Sequence, residues 1–159
     1  MADTISKAQR SAVMAAVRST QNRSTELRLA ALLRAIGVTG WRRGFPLTGR
    51  PDFVFPKLRI AVFVDGCFWH RCPLHCRPPS SNQGYWVTKL GRNQTRDRAI
   101  SRALRSSGWK VLRIWEHELR RKALPKLTRR ILRSFRPPPP SSRPRIPRSR
   151  LPLPPAQRN

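Results

Sequence analysis

Apolar positions in this chain come in short bursts whose spacing shifts from helical to extended and back. Leu29, Leu32, Leu33 and Ile36 recur at helical spacing between Ser24, a good N-cap, and Gly37, a good C′ residue. They predict a helix from Ser24 to Gly37, preceded by another from about Lys7 to Val17. The period then shortens. Asp52–Phe55 and Ile60–Val64 are β-rich runs on either side of a Pro56–Lys57 turn, which reads as a hairpin. Asn93–Ser107 returns to helical spacing, with Ile100 and Leu104 inward and Gly108 as its stop. Lys110–Trp115 is a further β-branched strand, and Leu124–Phe135 carries Leu127, Ile131 and Leu132 at helical spacing. The order α-α-β-β-α-β-α predicts an α/β fold with a central sheet covered by helices. No internal repeat is visible.

Composition sets the boundary of this unit. From Arg136 onward nine prolines and six arginines occur with no acid. Such a segment cannot build a core, because proline lacks a donor and too little apolar surface is available. Residues 1–135 are therefore expected to fold, and 136–159 to form a disordered or polyproline-like Pro/Arg tail, either an extra tether for DNA or without function. At 159 residues the chain has about one domain's length.

Charge adds a partner. Lys and Arg number 34 against seven Asp and Glu, a formal charge of +27, and most of the excess lies in the expected folded unit. Neutralising phosphates releases condensed counterions, so nucleic acid is the first inference. Arginine, which dominates the basic set, can grip a phosphate through two hydrogen bonds. The start MADTISKAQR has no apolar core, and no run approaches the roughly 20 apolar residues of a membrane span. No membrane association is expected, and three clustered cysteines in such a chain favour thiolate ligands over disulfides. An intracellular protein is expected.

Metal-capable residues concentrate between Gly49 and Cys76. Cys67, Cys72 and His75 stand as C-x4-C-x2-H, a spacing suited to zinc. His117 is the candidate fourth ligand and Cys76 its competitor. Arg71, Pro73 and Leu74 offer little to bury, so a metal would supply what packing cannot. Asp52 and Asp65 bracket the two expected strands, where their carboxylates can converge on Mg²⁺, which prefers hard oxygen ligands. His70 could activate or position a water. Asp97 and Glu26 are further candidates, although Glu26 also suits a helix N-terminus, Asp97 an arginine partner and Asp65 a turn.

The segments PDFVF, FVDGCFWHRCPLHC, YWVTKLGRNQTRDR and GWKVLRIWEHEL together resemble the Vsr family of very-short-patch-repair DNA mismatch endonucleases. KAQRSAVMAAVRSTQNRSTELRLAALLRAIG is similar to that family's opening helices, so the likeness covers about residues 5–135. The resemblance implies a restriction-endonuclease-like core, a central mixed sheet flanked by helices, with a structural zinc site. It implies a Mg²⁺-dependent enzyme that nicks one strand of double-stranded DNA 5′ to the thymine of a T:G mismatch, left by deamination of 5-methylcytosine. Asp52 would be the principal Mg²⁺ ligand, Val64 would offer its backbone carbonyl, and His70 fills the catalytic histidine position. Asp97 and Glu26 match acidic active-site positions. Cys67, Cys72, His75 and His117 fall at or beside the zinc-ligand positions. Phe68, Trp69 and Trp86 match an aromatic wedge that enters the duplex, while Trp109 and Trp115 are expected in the core. Asp65 stands where the best-known member has a histidine. The implied setting is a bacterial cytoplasm, with a monomer associated with the nucleoid and working beside mismatch-repair proteins. Two other readings compete: a restriction-like or transposition-associated nuclease acting on matched DNA, and a non-enzymatic zinc-stabilised DNA-binding module.

Overall fold

Strand β2 (Ile60–Asp65) is the centre of the fold, and its continuous apolar run marks it as covered on both faces. β1 (Phe53–Phe55) pairs with it antiparallel, Phe53 opposite Val62. The expected hairpin turn is a short 3-10 segment, Pro56–Leu58, closed by Arg59 at φ 50°. β3 (Lys110–Trp115) lies on the other side of β2 and runs parallel to it, Ile60 opposite Lys110 and Asp65 opposite Trp115. The sheet is therefore mixed, in the order β1-β2-β3. A parallel pair needs a long crossover, and helix α2 (Gln83–Ser106) supplies it. Helices α1 (Glu26–Ala35) and α3 (Leu124–Phe135) complete the fold. This computed structural model describes residues 25–136, so the expected helix at Lys7–Val17, the Ser24 cap and almost all of the Pro/Arg tail lie outside the described residues.

Side chains alternate across a strand, and that alternation sorts two cores. Phe53, Phe55, Ile60, Val62 and Ile114 face Leu29 and Leu33 of α1 and Leu127 and Ile131 of α3. Ala61 and Phe63 face the opposite way, against Leu104 and Ile100 of α2 together with Trp109 and Val111. Each fully buried Leu, Ile or Phe contributes about 1.5–3 kcal/mol relative to exposure. Helix α1 stops at Ala35, and Gly37 just beyond it has a φ of 69° that suits the left-handed position. The Gly37 N–H donates to Arg34 O and the Val38 N–H to Leu33 O, satisfying carbonyls that the helix end would strand.

Helix α2 begins at Gln83, ten residues before the expected start at Asn93. Its first turns carry Gly84, Gly91, Thr88 and Asn93, which are poor helix formers. Burial of Trp86 and Leu90 overrides that preference. Trp109 joins the second core as expected, whereas Trp115 is only half-buried and stacks near His117. The C-terminal ends of the parallel pair β2 and β3 thus open beside α2 and the loop that leaves Asp65.

Candidate active site and metal centre

Asp65, the last residue of β2, points to the α2 side of the sheet, as does Arg113 of β3. Arg113 lies over the Phe63 ring, 5.1 Å from its centroid. Its Nε and Nη2 donate to both oxygens of Asp65, each at 2.6 Å. Nη2 also lies 3.3 Å from Asp97 Oδ2, and Nη1 donates to Ser101 Oγ at 3.4 Å. His70 Nδ1 stands 2.6 Å from Asp97 Oδ2 and 3.7 Å from Asp65 Oδ1. Burial pushes the Asp97 carboxyl up, but the His70 hydrogen bond and the charges of His70, Arg113 and Arg96 prevail and hold it below the usual range. An ionised Asp97 accepts only, so His70 Nδ1–H donates to it. A neutral ring then offers Nε2 as an acceptor, the arrangement a general base needs.

Asp52 stands just ahead of β1, and its Oδ2 accepts the Val64 N–H at 2.7 Å. Burial raises its pKa from 3.8 to about 6, against the Val64 bond, and the carboxylates of Glu26 and Asp65 push the same way as burial. Glu26, buried at the first position of α1, forms an ion pair with Arg43. Among the described residues Asp52 Oδ1 accepts no hydrogen bond. A half-buried, hard oxygen donor repelled by neighbouring carboxylates fits a divalent cation, which would relieve that repulsion. The structure thus brings Asp52 and Glu26 near one another, and gathers Asp65, Asp97 and His70 at the end of β2, close enough for the Asp65 carboxylate to act on Asp52. Both oxygens of Asp65 are taken by Arg113, and the observed link from Val64 to Asp52 runs through the Val64 N–H.

The loop after Asp65 and the 3-10 segment Glu116–Leu119 after β3 together carry a second group. Cys67, Cys72, His75 and His117 present ligand atoms that all lie within 4.8 Å of one another. Cys67 Sγ is 3.3 Å and Cys72 Sγ 3.6 Å from His117 Nδ1, while Cys72 Sγ is 3.7 Å from His75 Nδ1. Ligands about 2.0–2.3 Å from a tetrahedral ion stand roughly 3.3–3.8 Å apart, so the four can hold a metal ion. Cys76 is not among them, and its thiol faces Phe68 O at 3.6 Å. Burial pushes the Cys67 thiol up and the His117 imidazole down. Metal binding would draw off the thiol proton and finds the imidazole neutral.

Between the two groups sit the aromatics. Phe68 meets Trp69 and Trp86 edge-on, with centroids 5.0 and 5.2 Å apart. Trp86 is buried, Phe68 and Trp69 are half-buried, and Lys89 Nζ lies 5.6 Å from the Trp69 centroid. Asn93 Nδ2 donates to Trp69 O at 3.1 Å, tying the loop to α2.

The family model described as DNA mismatch endonuclease Vsr matches residues 2–76. The chain is 41% identical over 123 residues to the DNA mismatch endonuclease Vsr of Escherichia coli, a match covering 76% of this chain and 77% of that relative. The chain belongs to the Vsr family of DNA mismatch endonucleases. It is also 52% identical over 77 residues to the type II nicking enzyme V.NaeI of Lentzea aerocolonigenes, covering 48% of this chain but under half, 46%, of that relative. With V.XorIIP, a type II nicking enzyme of Xanthomonas oryzae, the identity is 38% over 121 residues, across 75% of this chain and 88% of that relative.

As a Vsr family member the chain is a DNA endonuclease. Among the described residues no helix is long and apolar enough to cross a membrane. Three site residues escaped the sequence reading. Arg113 lies mid-strand in an apolar run, where a charge facing a buried carboxylate was the available signal. Arg43 carries no motif, and Tyr85, half-exposed beside Trp86 with centroids 5.1 Å apart, was readable only as the neighbour of Trp86.

Proposed function

We propose that the chain nicks one strand of a DNA duplex 5′ to the thymine of a T:G mismatch, with Mg²⁺, in very-short-patch repair of deaminated 5-methylcytosine. The observation that carries the chemistry is the 2.6 Å link from His70 Nδ1 to Asp97. It fixes the ring so that Nε2 can take a proton from a water attacking the phosphorus. Asp97 stabilises the resulting imidazolium, and Arg113 keeps Asp97 charged and in place. Asp52, with Glu26 beside it, would hold the cation. Bound Mg²⁺ would offset charge on the scissile phosphate and make the attacking water more acidic.

Phe68 and Trp69, seated on buried Trp86, form the wedge. Unstacking a base step costs a few kcal/mol, and a mispaired step costs less. A zinc ion held by Cys67, Cys72, His75 and His117 would fix the loop that carries both the wedge and His70. The enzyme would act as a monomer in the bacterial cytoplasm, on the nucleoid and beside mismatch-repair proteins.

The test incubates purified protein and Mg²⁺ with end-labelled T:G and C:G duplexes, read on a denaturing gel. Nicking of the T:G duplex alone, lost in Asp52→Ala, supports the reading. Equal cutting of both duplexes removes the mismatch from it, and cutting of neither with intact binding favours a DNA-binding module.

A further inference from the structure

The groove beside His70 holds more positive charge than the chain can neutralise. It has a volume of about 560 Å³ and runs between α2, the end of β3 and the metal-binding loop. Arg98, Arg102 and Arg105 line it from α2, next to Asp97 and Ser101. Their spacing places them on one helix face. All three are exposed, and none forms an ion pair among the described residues.

The chain has no acids to spare for them. Of its seven acidic residues, Glu26 pairs with Arg43 and Asp65 with Arg113. Asp97 binds His70, and Asp52 accepts the Val64 N–H. Glu116 accepts the Cys67 N–H at 3.4 Å, and Glu118 pairs with Arg130 at 2.9 Å. Asp3 alone lies outside the described residues, and one carboxylate cannot balance three guanidinium groups. The three guanidinium groups are therefore open to the phosphates of another molecule.

We propose that Arg98, Arg102 and Arg105 form a rail for backbone phosphates of the strand being cut, within about three nucleotides of the scissile phosphate. The assignment rests on the endonuclease reading of the His70–Asp97 site. From Arg98 to Arg105 the helix rises about 10 Å, the axial rise of about three nucleotides at 3.4 Å per step when α2 lies along the duplex axis. The rail starts one residue after Asp97, so the strand that reaches His70 is the strand that meets it. The complementary strand lies a groove width away, about 6 or 12 Å.

The test compares an Arg98→Gln, Arg102→Gln, Arg105→Gln protein with a charge-matched control, Lys126→Gln, Arg129→Gln, Arg133→Gln, on α3 across the sheet. Binding of a T:G duplex is measured by fluorescence anisotropy against salt, without Mg²⁺. The rail variant should lower the slope of log affinity on log salt by about 2–3, and the control by less than about 1. Neutral methylphosphonate linkages near the cut in the nicked strand should weaken wild type about tenfold or more and the rail variant hardly at all. Equal slope changes in rail variant and control overturn the proposal, as does a methylphosphonate effect confined to the complementary strand. If these binding results hold while T:G and C:G duplexes are cut alike, the mismatch reading fails and the rail stands.

Discussion

Replacing Asp52 by asparagine should destroy nicking yet stabilise the protein in the absence of added Mg²⁺. Burial is the chief cause that raises the carboxyl's pKa from 3.8 to about 6, with the Val64 N–H opposing it and Glu26 and Asp65 adding repulsion. The folded state therefore binds this proton more tightly than the unfolded chain, and stability falls as pH rises from about 4 to about 6. Above that window the full penalty persists. A shift of about two units corresponds to about 3 kcal/mol at pH 8 and roughly half of that at pH 5. Asparagine keeps the shape and an oxygen for the Val64 N–H while removing the charge. Its amide must also find an acceptor, so a gain of about 1–3 kcal/mol at pH 8 is expected. Urea titrations of both proteins at pH 5 and pH 8, with and without Mg²⁺, measure this. Wild type should recover stability on adding Mg²⁺ and the variant should not. A variant no more stable than wild type at pH 8, or a gain equal at both pH values, refutes the reasoning.

Other perturbations separate the parts of the site. Asp97→Asn should lower single-turnover nicking by about 10²–10⁴ with little change in DNA affinity, because it removes the acceptor that orients His70; the two are read by rapid quench and anisotropy. Asp65→Asn and Arg113→Met should each cost about 2–4 kcal/mol in urea unfolding, since one strands the half-buried Arg113 and the other the buried Asp65, and the double variant should cost less than their sum. Cys67→Ser should release zinc, read by metal analysis, and lower the urea midpoint together with activity. Gly49→Ala should cost about 2–4 kcal/mol, because φ is +80° there and the added methyl would run into Ile100.

The elements that were legible in the sequence are those whose pattern is local. β2 and β3 showed as β-branched runs, α1 as an apolar stripe between recognisable ends, and α3 through its apolar spacing alone. The early turns of α2 were not legible, because Gly84 and Gly91 argue against a helix that Trp86 and Leu90 secure by long-range burial. Cys67, Cys72 and His75 stood out through spacing, and His117 through being the one histidine left over. The fate of Asp65 was hidden. Its partner Arg113 lies 48 positions away, and only the parallel register of β2 and β3 brings them together. The same holds for Glu26 and Arg43, which meet through the packing of α1 against the sheet.

Where the chain cuts, and on which duplex, bears most directly on its function. End-labelling each strand of a T:G duplex in turn, with Mg²⁺ and wild-type protein, should yield one product. That product should map to the phosphodiester 5′ to the mispaired thymine, with the G strand intact and the C:G duplex uncut. Scission of both strands, or a cut on the matched duplex at a similar rate, would contradict it.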